Sequence, residues 1–185
     1  MNDIDLFRTR AERFGHLLTG AEGRWDSPTP CSDWTVADVV NHVIGSERDF
    51  LQRHELLSGD APSGSPDQAW AAHLTETLAV LSAAGVADRP FEGYFGPTTV
   101  GATMADFYGW DLAVHGWDVA RATGQPDPIT DTEAVDLDRT TQGWGPALYS
   151  EGVCQPALAV PDDAGALVQL LAKLGRDPEW TPPAR

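Results

Sequence analysis

Asp111 and His115 stand four apart in the run Asp111-Leu112-Ala113-Val114-His115-Gly116-Trp117-Asp118. In a helix, residues four apart are offset by only about 40° around the axis. The carboxylate and the imidazole then point the same way, one turn apart. Two such groups can grip a divalent metal ion when a third ligand arrives from elsewhere. The chain holds five histidines, so the histidine candidates for that ligand are His16, His42, His54 and His73.

A helical wheel sharpens the point. Met104, Phe107, Trp110 and Val114 fall in one broad arc, with Asp111 at its edge. Asp118 lies about 20° from Asp111, two turns later. His115 lies on the other side of Asp111, near Leu112 and Val119. A carboxylate on such a face is costly unless something compensates it. An ion, an arginine or a hydrogen-bond network would each serve. Arg121, three residues past Asp118, is the arginine nearest along the helix.

These groups need helices to carry them. Leu6, Phe7, Phe14, Leu17 and Leu18 mark a first helix over 3–21. A loop rich in turn formers follows over 23–34. Thr35-Val36-Ala37-Asp38 matches a capping box, with Asp38 in the usual Glu position, and predicts a second helix to about Leu57. His42 lies in this helix at the edge of a Val36-Val40-Val43 stripe, with Ser46 and Asp49 on its side. His54 falls in a polar stretch and is expected at the surface. Trp70, Leu74, Leu78 and Leu81 predict a third helix over 66–84. Residues 85–100 read as loop or a short extended piece. The fourth helix, over 101–123, carries Asp111, His115 and Asp118 and stops at Gly124 before Pro126. A further helix opens at Asp131 and runs to about Tyr149. Residues 153–160 suggest a short strand, and a last helix follows Pro161-Asp162 and ends at Gly175. The pattern predicts an all-α chain: a four-helix bundle with added C-terminal helices, in one domain over 1–185.

Composition narrows the partners. Twenty-eight Asp and Glu against 12 Lys and Arg give a net charge of −16. Such a surface repels phosphate backbones and anionic membranes, which argues against nucleic acid. No apolar run approaches the ~18 residues of a membrane span, and the N-terminus lacks a signal-peptide pattern. Two cysteines, Cys31 and Cys154, make no disulfide framework and read as free thiols in a reducing cytoplasm. Cys31 precedes a helix N-terminus, yet the Pro-Cys turn around it suggests a buried structural thiol.

The run Thr29-Pro30-Cys31-Ser32-Asp33-Trp34-Thr35-Val36-Ala37-Asp38-Val39-Val40-Asn41-His42-Val43-Ile44-Gly45 resembles the second-helix signature of the DinB-like superfamily. More narrowly, it resembles the metal-binding domain of mycothiol-dependent maleylpyruvate isomerase and its relatives. Val114-His115-Gly116-Trp117-Asp118-Val119-Ala120-Arg121-Ala122-Thr123-Gly124 is similar to the same family's fourth-helix signature. Leu171-Ala172-Lys173-Leu174-Gly175-Arg176-Asp177-Pro178-Glu179-Trp180 resembles the ending of its short, single-domain members.

The resemblance implies a DinB-like four-helix bundle with a divalent ion, usually zinc, near one end. It implies one ligand from the second helix and an acid-x-x-x-His pair from the fourth, here His42, Asp111 and His115. Many DinB-like members use histidines alone, and the isomerase has Glu where this chain has Asp111. The shorter side chain pulls an ion toward the fourth helix and leaves zinc, nickel and other divalent ions open. The isomerase also carries an extra C-terminal domain, for which this chain has no room after Trp180.

Three protein ligands leave an ion one open position, which a water or a thiol can fill. The resemblance implies a low-molecular-weight thiol such as mycothiol. The expected activity is that of a thiol S-transferase or isomerase acting on an electrophilic small molecule. The alternative is a non-catalytic metal- or ligand-binding module for resistance, sensing or sequestration, with a structural or vestigial ion. Zinc-activated water is a third chemistry, but no separate base stands at a recognisable spacing. Asp118 is expected either to orient His115 or a bound water from behind, or to pair with Arg121. Trp34 is expected at the pocket rim against the cofactor, or as packing at the start of the second helix. The family pattern allows a monomer or a homodimer.

Overall fold

The computed structural model describes residues 2–31, 33–150 and 152–183. The elements run α1 (Asp3–Gly20), α2 (Val36–Arg53), α3 (Pro66–Leu81), β1 (Pro90–Gly93), β2 (Gly96–Thr99), α4 (Val100–Thr103), a π-helical turn (Met104–Tyr108), α5 (Gly109–Thr123), α6 (Asp131–Gln142), a 3-10 turn (Gly145–Tyr149) and α7 (Ala166–Lys173). Among the described residues the fold is all-α apart from one two-stranded antiparallel hairpin. Among the described residues no helix is long and apolar enough to cross a membrane.

Local chemistry starts and stops the helices. Asn2 caps α1 by accepting from the Asp5 amide. Thr35 and Asp38 form the reciprocal capping box at α2: the Asp38 amide donates to Thr35 Oγ1 at 3.2 Å, and the Thr35 amide to Asp38 Oδ2 at 2.9 Å. The second helix ends at Arg53, short of Leu57. Glu55 takes a left-handed conformation (φ 58°), and the Leu56 amide turns back to the Leu51 carbonyl. Thus a Schellman stop operates without glycine. His54, expected in solvent, is half-buried, with its ring against Phe50 and Phe91. Gly124 stops α5 in the left-handed region (φ 67°), as its position predicts.

α1, α5, α2 and α3 close a four-helix ring in that order around one core. Phe7, Phe14, Leu18, Val40, Val43 and Trp70 are among its buried members. A second core lies on the opposite side of α5, where Trp110, Val114 and Trp117 meet Leu137, Leu148 and Leu170. α5 is therefore covered all round, as befits a helix apolar on every side. Arg13 clamps α1 to α6 with two hydrogen bonds to Glu133, at 2.7 and 2.6 Å.

Two expectations change, over the fourth helix and over 153–160, while the short extended piece expected within 85–100 is a hairpin. The fourth helix is not a uniform α-helix: the Gly109 amide donates to the Met104 carbonyl, five residues back. This wider turn swings Phe107 away from Met104, out of the arc in which a regular helix would place it. Tyr108 takes the core position, while Phe107 is 40% exposed. The 85–100 region holds the hairpin, with Pro90 opposite Thr99 and Gly93 opposite Gly96. Residues 153–160 form no strand. They run as extended coil along α7, tied by the Leu158 amide to the Ala172 carbonyl at 2.8 Å, and they have no neighbouring strand to pair with.

Candidate metal centre

Asp111 and His115 project from successive turns of α5, and His42 reaches them from α2. His42 Nε2 is 3.5 Å from Asp111 Oδ2, and His115 Nε2 is 3.5 Å from Asp111 Oδ1. The two imidazole rings are 5.1 Å apart. One donor atom from each of the three residues falls within 4.8 Å of the others. These separations exceed the 2.7–3.2 Å of a good N–H···O bond. Donors about 2.0–2.1 Å from a tetrahedral ion lie roughly 3.3–3.4 Å from one another. The donor set, two imidazoles and one carboxylate, fits a divalent ion in its chemistry, and each imidazole stands near that spacing from one Asp111 oxygen.

His115 is held from behind. Its Nδ1 donates to Asp118 Oδ2 at 2.9 Å. That bond leaves Nε2 with the free lone pair on the Asp111 side. Asp118 is fully buried and accepts two hydrogen bonds from Arg176, from Nε at 2.9 Å and Nη2 at 2.8 Å. Burial alone would raise the Asp118 carboxyl, but Arg176 and His115 outweigh it and hold the group at about 2. For Asp111, burial likewise opposes ionisation. The two imidazoles and Arg176 prevail and keep its carboxyl below the ordinary Asp range.

Sequence reasoning did not find Arg176. The near neighbour, Arg121, turns elsewhere: it lies over the Trp117 ring and 3.7 Å from Asp127. Arg176 arrives from 58 residues downstream on the C-terminal stop of α7. There the Gly175 amide donates to Ala172 and the Arg176 amide to Leu171, a Schellman pair. Gly175 has φ 73°, and a Cβ on it would lie 2.5 Å from the Gln155 Cβ. Only glycine permits both the turn and the close passage of the 154–155 backbone. The signal for this stop is visible in Leu174-Gly175-Arg176, but its target is not.

Trp34 sits beside the His42 and His115 rings. Its ring is 4.7 Å from that of His42, and stacks on His115 at 5.8 Å and 23°. The preceding Asp33 is in the left-handed region (φ 66°), a strained conformation for a non-glycine residue next to a site. Cys31 and Cys154 both open onto the same pocket. Burial pushes the Cys31 thiol up to about 11, with Asp118 adding to the effect, and burial also raises Cys154. Of the other histidines, His16 is exposed, His54 packs on aromatics, and His73 is buried against Glu47. None joins the group.

The pocket has a volume of about 300 Å³, at the small end of ligand sites. His42, Asp111, His115 and Arg176 line one part, and Phe107, Trp110 and Trp144 another.

The model of the mycothiol maleylpyruvate isomerase N-terminal domain matches residues 6–120 of the chain. The chain belongs to this DinB-like family. The family match spans α1 through most of α5, including Trp34, His42, Asp111, His115 and Asp118, while Arg176 lies beyond it. The chain is 30% identical over 188 residues to the uncharacterized protein Rv0738 of Mycobacterium tuberculosis (strain ATCC 25618 / H37Rv), covering 95% of this chain and 98% of that protein. It is 31% identical over 133 residues to the uncharacterized protein Rv0036c of the same strain, covering 58% of this chain and 50% of the other. No solved structure matches the chain.

Proposed function

We propose that this member of the mycothiol maleylpyruvate isomerase N-terminal domain family binds a divalent ion, zinc in the first instance, through His42, Asp111 and His115. We propose further that it acts as a thiol S-transferase or isomerase on an electrophilic small molecule. The observation that carries the reading is the open side of the donor group. Among the described residues no fourth His, Cys, Asp or Glu completes it, and the pocket lies beside it. Three-ligand sites with an open position are the catalytic pattern for zinc, whereas structural sites are closed.

An ion held there supplies Lewis acidity, which lowers the proton affinity of a thiol or water that reaches it. The residues of the chain supply the rest. Asp118 fixes the His115 tautomer, and Arg176 keeps Asp118 ionised for that task. Trp34 limits the tilt of both imidazoles. The thiol is taken to be a small external one of the mycothiol type, as the family description suggests. In a conjugate addition the thiol sulfur bonds to the electrophilic carbon, and the proton leaving sulfur returns to the adjacent carbon, so the atoms balance. In an isomerisation the same thiol is later expelled unchanged.

Metal analysis of the purified chain, repeated on His42→Ala and Asp111→Ala, tests the site. About one divalent ion per chain is expected in the parent and a loss in both variants. Unchanged metal content in both would remove the proposal. Chelation separates a catalytic ion from a structural one. The catalytic reading predicts lost thiol–electrophile coupling with the melting temperature largely kept, and a structural ion predicts a sharp fall in melting temperature.

A further inference from the structure

The aromatic part of the pocket lining, Phe107, Trp110 and Trp144, continues outside the pocket into Phe95 and Tyr94 as a connected row of rings. Trp110 is its buried anchor, with the indole N–H donating to the Leu137 carbonyl at 3.1 Å. Trp144 packs on Trp110 at 4.8 Å and 66°, and Phe107 meets Trp144 at 5.5 Å. Outside them Phe95 lies parallel to Trp144, at 5° and 6.4 Å, and Tyr94 packs edge-on against Phe95 at 4.9 Å. Tyr94 and Phe95 form the two-residue turn between β1 and β2. They are 85% and 57% exposed, the two most exposed large apolar side chains among the described residues.

Adjacent aromatic side chains in water are informative when they lead into a cavity. Neither turn residue belongs to either core. Phe91, lower on the hairpin, packs against the first core and suffices to attach it. The two strands pair only with each other, a marginal unit by itself. The 6.4 Å separation of Phe95 and Trp144 lies toward the long end of ring contacts. The same pocket also has a polar lining, with Asp111, His115 and Arg176.

We infer that Phe107, Trp144 and Phe95 form a subsite for the flat aromatic part of the electrophile, with the hairpin turn as its outer cover. The ligand class is amphipathic: an aromatic ring toward the hairpin and the reactive atom toward His42, Asp111 and His115. The inference rests on reading this pocket as a substrate site and adds to that reading the class of substrate.

The probe is uncharged 2-naphthol, titrated by calorimetry into the full chain, both zinc-loaded and chelator-stripped. Saturable binding is expected in both forms. Phe95→Ala should weaken it by roughly 2- to 12-fold, the range a single ring–ring contact supplies, and Trp144→Ala should weaken it more. Phe95→Ala changes an exposed turn residue, and an unchanged melting temperature verifies that its fold is intact. Absence of binding to the parent, or equal affinity in parent and both variants, would overturn the inference. Zinc retained by His42, Asp111 and His115 with no naphthol binding would leave the metal reading standing and sink this one. Naphthol binding that depends on Phe95 and Trp144 in a chain that takes up no zinc would do the reverse.

Discussion

His73 and Glu47 form one buried histidine–carboxylate pair, between α3 and α2; His115 and Asp118 form another, within α5. The hydrogen bonds are nearly the same length, 2.8 and 2.9 Å. Their surroundings differ. Glu47 and His73 are at most 1% exposed, and His73 Nδ1 and Glu47 Oε1 have no hydrogen-bond partner among the described residues. Burial pushes the Glu47 carboxyl up, and only His73 pulls it back. Asp118 has Arg176 on both oxygens, which drives its carboxyl down to about 2. A histidine and a carboxylate thus make a closed core pair in one place and an oriented imidazole at a pocket in the other. A cation behind the carboxylate, together with an imidazole that lines a pocket rather than lying sealed in the core, makes the difference.

The largest expected effect comes from removing that cation. Arg176→Met leaves Asp118 charged and buried without its partner, and should cost about 3–5 kcal/mol of stability by urea denaturation. Divalent-ion affinity should fall by roughly 10- to 100-fold in the same variant, because His115 loses its fixed orientation. If Arg176→Met matches the parent on both counts, the two pairs are alike and the contrast fails.

The core pair should respond in the opposite sense when replaced whole. His73→Leu with Glu47→Leu removes both unpartnered atoms and fills the space with apolar groups. The double variant should be neutral or about 1–4 kcal/mol more stable, whereas either single change should destabilise. Metal content should not change, since neither residue touches the candidate centre.

The smallest effect is a slope with pH. A carboxyl raised above its ordinary value of 4.5 holds its proton more tightly in the folded chain than in the unfolded one. Its stabilising contribution is therefore complete below 4.5 and is lost as pH rises through the folded value. Asp118 runs the other way: its contribution is present above the ordinary 3.8 and is lost as pH falls toward about 2. Glu47→Gln should flatten the loss of stability on the rising-pH side and leave the acid side as it was. Denaturation midpoints across mildly acidic to neutral pH measure this, and an unchanged upper limb would show that the pair does not titrate over that range.

Much of the scaffold is legible because its cues are local. The Thr35–Asp38 box, the Gly124 stop and the four-residue spacing of Asp111 and His115 each act within a turn or two of chain. Early helix ends were missed where a residue other than glycine took the left-handed position, as at Glu55. The π-helical turn is not legible because a wheel assumes a uniform period, which puts Phe107 in the apolar arc with Met104 where the structure turns Tyr108 into the core. Cys154 was placed on a strand that has no partner strand, although its actual place is the pocket wall.

By itself, the sequence determined that the chain is helical, where α2 and α5 begin or stop, and that Asp111 and His115 share a face. Capping and helical periodicity are decided between near neighbours, and a linear reading contains them. Only the tertiary structure decided that Arg176 rather than Arg121 neutralises Asp118, how His42 approaches Asp111, and that a hairpin turn packs against the pocket-lining Trp144. A buried charge takes whichever partner the packing delivers, and packing between elements far apart in the chain is set by the whole fold.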